Sequence, residues 1–283
     1  SENIRFREKS YSFDVKSSGD EMIPDEYIAK YTELKKSFPS FSLSVSSGRI
    51  RRGEIVGVVG ANALGKTTYM KMLANVEMPD EGEIKMGASV SFKPQYLSSD
   101  YESNVISLLM SAYQNMIEGT SVEQEIIIPL GIKRLYEKNV KNLSGGELQK
   151  VAIAASLLRE ADIFALDEPS AFLDIEDRIA FSKFLHRFVR SRGKTAIVID
   201  HDMQLIDLLA DSLIFFQGNP GSKGAASQPM KKEDGMNRFL EALSITYRRD
   251  ETSGRPRLNK EGGRLDRLQK ETGQFYYLHK QGA

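Results

Sequence analysis

Hydrophobic and polar positions alternate over Phe41-Ser-Leu-Ser-Val45, the period of a half-buried strand, and then give way to a continuous apolar run from Ile55 to Val59 bounded by Gly53 and Gly60. That run has the pattern of a strand buried on both faces, and a helix is expected to follow from about Thr67. Short strands are expected at Glu83 to Met86 and Val90 to Phe92, around Gly87, and an amphipathic helix over Asn104 to Ile117, where apolar residues recur at helical spacing. Two more continuous apolar runs, Ile163 to Leu166 and Thr195 to Ile199, flank a helical pattern from about Ile175 to Val189. Buried strands alternating with helices give α/β order. From Gln217 to Gly235 the composition turns to Gly, Ser, Pro and Lys, which predicts a linker and a boundary near residue 230; a helix over Met236 to Leu243 then leads into a basic stretch. No internal repeat of about 20 to 50 residues is present.

Composition narrows the classes. At 283 residues, 40% hydrophobic and 28% charged, the chain can bury one large core or two smaller ones. Lys plus Arg equals Asp plus Glu at 39 each, so net charge points to no class of partner, and only a local patch could. The absence of Cys excludes disulfides, thiolate metal sites, iron–sulfur ligation and Cys nucleophiles within this chain, and fits a reducing cytoplasm. No apolar run approaches the roughly 18 to 20 residues of a membrane helix, and SENIRFREKS is too charged for a signal peptide, so no membrane location is expected. The first residue is Ser rather than Met, which fits either a segment of a longer chain or a processed terminus.

The chemistry begins at Gly60-Ala-Asn62-Ala63-Leu-Gly65-Lys66-Thr67, a G-x-x-x-x-G-K-[ST] loop placed after a buried strand and before a helix. In such a loop the backbone N–H groups and the helix N-terminus converge on phosphate oxygens, Lys66 reaches the β and γ phosphates, and the Thr67 hydroxyl can ligate Mg2+, with Thr68 assisting. Ile163-Phe-Ala-Leu-Asp167-Glu168 is an apolar strand that ends in two acids at the carboxyl edge of the sheet. Asp167 suits the magnesium shell. Glu168, directed to the other side of the chain, suits a general base for water. Leu143-Ser144-Gly145-Gly146-Glu147-Leu148-Gln149 places a hydroxyl and two glycines at the start of a helix, a second anion nest.

That last segment resembles the signature of ABC-type ATPases, in which the nest faces a nucleotide held by another domain, so that each active site is split across a head-to-tail pair. The resemblance implies further roles. Gln95, in Phe92-Lys-Pro-Gln95, matches the glutamine that contacts magnesium and water; Ser170-Ala-Phe-Leu-Asp174 resembles the loop that communicates between paired domains; and His201 matches the switch histidine that orients the attacking water. Tyr31 is the candidate for stacking on adenine, with Phe38 and Phe41 as competitors. His186 and His279 have no such placement. Ala63 stands where the family commonly has Gly, so a positive φ there would strain the loop.

Glu2-Asn-Ile-Arg-Phe-Arg7, the Lys93-Pro-Gln95 form and the tail Ile245-Thr-Tyr-Arg248-Arg249-Asp250 with Gly254 to Lys260 are similar to the class E, or RNase L inhibitor, family of ribosome-recycling ABC ATPases, most nearly to its second nucleotide-binding domain. The expectation is therefore a P-loop NTPase with a RecA-like α/β core, an antiparallel β subdomain and a helical insert at about 97–145, all within residues 1–230. Residues 231–283 are expected to form a hinge-like C-terminal segment. The five cations Arg248, Arg249, Arg255, Arg257 and Lys260, interrupted by Gly254 and Pro256, cannot form one continuous helix. They would contact phosphate or pack as interdomain ion pairs.

By resemblance the chain binds Mg-ATP or ADP, hydrolyses ATP slowly when isolated, pairs with a second such domain, and meets the small ribosomal subunit and release factors in the cytoplasm. An iron–sulfur domain and a first ATPase domain would precede it. The ATPase subunit of a membrane transporter and a non-hydrolysing nucleotide clamp are the alternatives.

Overall fold

The computed structural model describes residues 26–93, 102–249 and 256–276. The chain divides into two compact units, Ile23–Gly235 and a second that carries Met236–Ala283. The first contains strands β1 (Tyr27–Tyr31), β2 (Leu34–Phe38), β3 (Phe41–Val45), β4 (Gly48–Arg51) and β5 (Ile55–Val59), then helix α1 (Lys66–Leu73), β6 (Ile84–Met86), β7 (Val90–Lys93) and α2 (Val105–Tyr113). It continues through α3 (Gly145–Leu157), β8 (Ile163–Asp167), α4 (Ile175–Ser191), β9 (Thr195–Ile199), α5 (Met203–Leu209), β10 (Ser212–Asn219), β11 (Lys223–Ala226), β12 (Met230–Lys231) and the start of α6 (Lys232–Ala242).

The large sheet runs β2-β3-β11-β10-β5-β9-β8-β7, with β12 on β10, and a separate three-stranded sheet runs β4-β1-β6. From β10 to β7 neighbouring strands are parallel. Every residue of β5, β8 and β9 is buried, which is why these segments read as unbroken apolar runs. Alternation assigns their side chains to two faces: Val56, Val58, Ile163 and Ala165 join a core with Tyr69, Met70 and Leu73 of α1, while Phe164 sets its ring edge-on to Phe188 of α4 at 5.3 Å. Parallel register pairs Val58 and Asp167 with Ile199, so the loops leaving β5, β8 and β9 emerge at one edge.

The expected α/β architecture with antiparallel strands is present, with two local corrections. Residues 217–235 are not a linker: they hold the end of β10, β11, β12 and the first turn of α6. The glycines that gave the segment its linker composition are fold elements. Gly218 (φ 133°) and Gly221 (φ 76°) turn the hairpin, and a Cβ on Gly224 would sit 2.1 Å from the Leu64 carbonyl oxygen. Helix α2 ends at Tyr113 rather than Ile117, because Gln114 adopts φ 59° as its C-cap. The described part of the insert continues as one π-helical turn, Glu123–Ile127, and two short 3₁₀ segments, Lys133–Leu135 and Val140–Asn142.

In the second unit β13 (Tyr247–Arg249) and β14 (Pro256–Leu258) form an antiparallel hairpin with Arg248 opposite Arg257, followed by α7 (Arg264–Glu271). Buried Asp266 accepts hydrogen bonds from Thr246 Oγ1 (2.6 Å) and Gly262 N (2.9 Å), which hold its carboxyl below the usual carboxylate range. Arg255 lies outside the described residues.

Candidate functional site

The loop between β5 and α1 opens a cleft of about 440 Å³ whose walls include Asn62, Ala63, Lys66, Thr67, Asp167 and His201. Gly60 (φ 142°) must be Gly, since a Cβ would stand 2.4 Å from the Phe216 carbonyl oxygen; Gly65, at φ 92°, precedes α1 without any capping side chain. The N–H groups of the first turn of α1 are thus left for an anion. Lys66 is buried, and its Nζ donates to the carbonyls of Gly60 and Ala61, each at 2.7 Å. Burial pushes its pKa down, and the nearby carboxylates of Asp167 and Glu168 act in the opposite sense. Thr67 Oγ1 donates to Asp167 Oδ2 at 2.9 Å, joining residues a hundred positions apart in the chain. Thr68 also lines the cleft.

Ala63 does take a positive φ, 58°. Ala63→Gly is expected to remove the left-handed penalty of about 1–2 kcal/mol, partly offset by glycine's greater freedom when unfolded, about 0.5–1 kcal/mol. The net result is a rise of about 2 °C in Tm, read by thermal melting; a lower Tm in the variant would contradict this.

Glu168 also lies in the left-handed region (φ 47°), held there on both sides: its N–H donates to Ile199 O at 2.8 Å, and its carbonyl accepts from Gln149 Nε2 at 2.7 Å. A non-Gly residue in this conformation is costly and marks functional sites. The carboxylate it aims into the cleft meets His201 Nε2 at 3.1 Å, with the imidazole half-exposed. Gln149, the last residue of the segment quoted for its Ser and glycines, was a role the sequence did not suggest. Asp200 was another: buried beside His201, it accepts from Ser170 N (3.0 Å), Ser170 Oγ (2.8 Å) and Asp202 N (2.8 Å), and burial raises its pKa. An Asp-His-Asp run at a strand exit was its only sequence signal.

Ser144 is the N-cap of α3 in a reciprocal capping box: its Oγ accepts from Glu147 N (3.3 Å), and Glu147 Oε2 accepts from Ser144 N (3.0 Å). Ser144 and Gly145 are exposed and outside the P-loop cleft. Gly145 and Gly146 lie against Phe172, which is 73% exposed; a Cβ on Gly146 would come 2.9 Å from the Phe172 carbonyl oxygen. Exposed Asp174 caps α4 by accepting from Asp177 N at 2.8 Å.

Tyr31 is not brought to the cleft. The residue is 5% exposed, its ring is edge-on to that of Tyr69 at 5.9 Å, and its hydroxyl oxygen accepts a hydrogen bond from the Tyr69 hydroxyl; burial raises the phenol's pKa to about 12. The aromatic on the cleft wall is its competitor Phe41, against which Phe38 stacks at 6.4 Å. Gln95 lies outside the described residues.

A P-loop, a strand-end acid pair and a separate, exposed serine–glycine helix start on one α/β unit define an ABC-type nucleotide-binding domain. The comparisons agree: the family model described as ABC transporter matches residues 43–171. Over 279 residues the chain is 47% identical to an uncharacterized ABC transporter ATP-binding protein of Methanocaldococcus jannaschii, covering 98% of this chain and 46% of that protein. It is 38% identical over 169 residues to ABC transporter E family member 3 of Arabidopsis thaliana, covering 57% of this chain and 93% of that one. A crystal structure of the archaeal ribosome recycling factor aABCE1 in complex with the archaeal ribosomal stalk protein aP1 superposes with a TM-score of 0.84 at 48% identity, over 92% of this chain and 51% of that chain. The chain belongs to the class E, or RNase L inhibitor, family of ABC-type ATPases. It spans about half the length of the longer relatives it matches.

Proposed function

We propose that the chain is the ATP-binding and ATP-hydrolysing half of a twin-domain ABC ATPase that splits ribosomes into subunits after termination. The observation that carries the ATPase part is the meeting, in one cleft, of Thr67 with Asp167 at 2.9 Å and of Glu168 with His201 at 3.1 Å. A hydroxyl and a carboxylate are hard oxygen donors that suit Mg2+. Among the described residues no group of three or more His, Cys, Asp or Glu could hold a metal, so phosphate oxygens and water would complete the shell. Thr67 and Asp167 would hold the ion, which would supply neutralisation of phosphate charge.

Lys66 and the loop amides bind and orient the triphosphate, Glu168 takes the proton of the attacking water, and His201 holds that carboxylate and water in line. Ser144 and Gly145, exposed away from this cleft, and Gly146 beside them cap the triphosphate of a second nucleotide-binding domain, with Asp174 and Phe172 beside that contact. For Gln95, outside the described residues, only the resemblance supports a role toward the metal and water; Phe41, on the cleft wall, takes the adenine-stacking role in place of Tyr31.

The ribosomal part is supported by the resemblance to a ribosome recycling factor over most of this chain. On this reading the small subunit and release factors are partners in the cytoplasm. No helix among the described residues is long and apolar enough to cross a membrane. The full-length protein with ATP is expected to convert ribosomes to free subunits on a sucrose gradient; ribosomes that stay joined would overturn the ribosomal part. ATP turnover per molecule of the isolated chain should rise with protein concentration, and turnover independent of concentration would overturn the split-site part.

A further inference from the structure

A second cavity in the Ile23–Gly235 unit, about 820 Å³ and separate from the phosphate cleft, lies over the three-stranded sheet. The register of that sheet explains its charge. Strand β1 is irregular between Tyr27 and Ala29, and the extra residue puts Tyr27 on the same face as Lys30. On β4, Arg49 and Arg51 flank fully buried Ile50, so both arginines face outward, opposite Lys30 and Tyr27 respectively. Strand β6 sets Lys85 opposite Lys30 on the other side. Arg49, Lys30 and Lys85 therefore form a row across three strands at a spacing of about 4.8 Å. Like charges directly opposite destabilise a sheet.

The neighbourhood does little to offset them. The Tyr27 ring lies 5.3 Å from Lys30 Nζ, 5.4 Å from the Arg49 guanidinium and 5.8 Å from that of Arg51. Among the described residues Lys30 and Arg49 have no carboxylate within ion-pair reach, and Lys85 has Glu83 at 3.5 Å. Of the other carboxylates on the cavity wall, Glu54 accepts from Arg51 N and Ser212 Oγ and acts on the Arg51 charge rather than on the row, and Asp211 accepts from Ile55 N and Arg190. Lys231 adds a further cation to the wall.

We infer that the outer face of β4-β1-β6 binds RNA, holding the phosphodiester backbone along the Arg49–Lys30–Lys85 row. A single phosphate would be better served by a nest of backbone N–H groups, whereas here the amides of β1 are committed to the ladders on both sides. Several spaced cations match a polyanion instead. The guanidinium planes and tyrosine ring gathered at the same place offer stacking faces that suit bases and have no counterpart in an acidic peptide. This inference goes beyond the ATPase reading and depends on neither hydrolysis nor pairing.

The test is fluorescence anisotropy of a labelled single-stranded RNA of about 20 nucleotides with the full-length protein, in excess Mg-ATP to keep the P-loop filled, over a range of salt. The Lys30→Glu/Arg49→Glu variant is expected to bind at least about tenfold more weakly, with the slope of log K against log salt reduced by about 1.4. A Lys183→Glu/Arg187→Glu variant, carrying the same charge change on the exposed face of α4, should bind as the parent does. Both variants should stay folded and keep the parent's ATP turnover, because none of these residues enters the nucleotide site. Equal affinity and salt slope in the first variant, or an equal loss in the second, would overturn the assignment of this face. A polyglutamate peptide of matched charge that displaced the RNA as well as unlabelled RNA does would overturn the choice of RNA.

Discussion

Lys66→Ala is expected to weaken ATP binding by about a hundredfold or more while leaving the fold intact. The ammonium lies within the cleft, where burial already lowers its pKa, so the charge it directs at a triphosphate is poorly screened. Charge-assisted hydrogen bonds are worth about 1.5–3 kcal/mol each, and two of them lost to the β and γ oxygens correspond to about two or more decades in Kd. The fold should lose less. In the structure Nζ holds the carbonyls of Gly60 and Ala61 at 2.7 Å, and in the variant these face a cleft that water can enter, so a destabilisation of about 1 kcal/mol is expected. Titration with a fluorescent ATP analogue reads the first effect and thermal melting the second. Lys66→Arg is expected to rescue poorly, because the longer planar guanidinium cannot reproduce the compact ammonium that sits between those two carbonyls. Binding of the Ala variant within threefold of the parent would remove Lys66 from the site.

Which parts of this machinery the sequence showed depends on whether a feature is local. The strands at Ile55–Val59, Ile163–Asp167 and Thr195–Ile199 were legible because burial on both faces leaves an unbroken apolar run, and the P-loop was legible because its glycines and lysine are contiguous. The resemblance implies an antiparallel subdomain, but the residue pattern does not place strands β1, β2 and β4: Leu34-Lys-Lys-Ser-Phe38 and Gly48-Arg-Ile-Arg51 are half-solvated and carry charge on their outer faces. For the same reason the row of Arg49, Lys30 and Lys85 was invisible, since it exists only in the register of three strands drawn from separate stretches of chain. Tyr31 was misplaced because an aromatic before the P-loop reads the same whether it faces a base or the core. Its neighbour Tyr69 on α1, which donates to its hydroxyl, decides the matter and lies 38 residues away. The glycines at 218, 221 and 224 have the composition of a linker although they serve a hairpin, because composition does not distinguish a loose chain from a tight turn.

Glu168→Gln is expected to lower turnover by about two to four decades with ATP affinity held within about twofold, so that the nucleotide stays bound as ATP. The substitution is nearly isosteric, and the backbone hydrogen bonds that hold this residue at φ 47°, to Ile199 O and from Gln149 Nε2, do not involve the carboxyl. The Gln amide oxygen can still meet His201 Nε2 as Glu168 Oε1 does at 3.1 Å, so only basicity is removed. Retention of labelled ATP through a desalting column measures the trapped state. Parent-like turnover would remove Glu168 as the base. Adding Ser144→Asp then isolates the second surface. Asp caps a helix as well as Ser does, so α3 should start as before, but the carboxylate would stand where a neighbour's γ-phosphate must approach and would repel it. The double variant is therefore expected to bind ATP at its own P-loop yet fail to retain it. If it traps ATP as the single variant does, Ser144 is only the capping residue of α3, and the nest it opens faces no nucleotide.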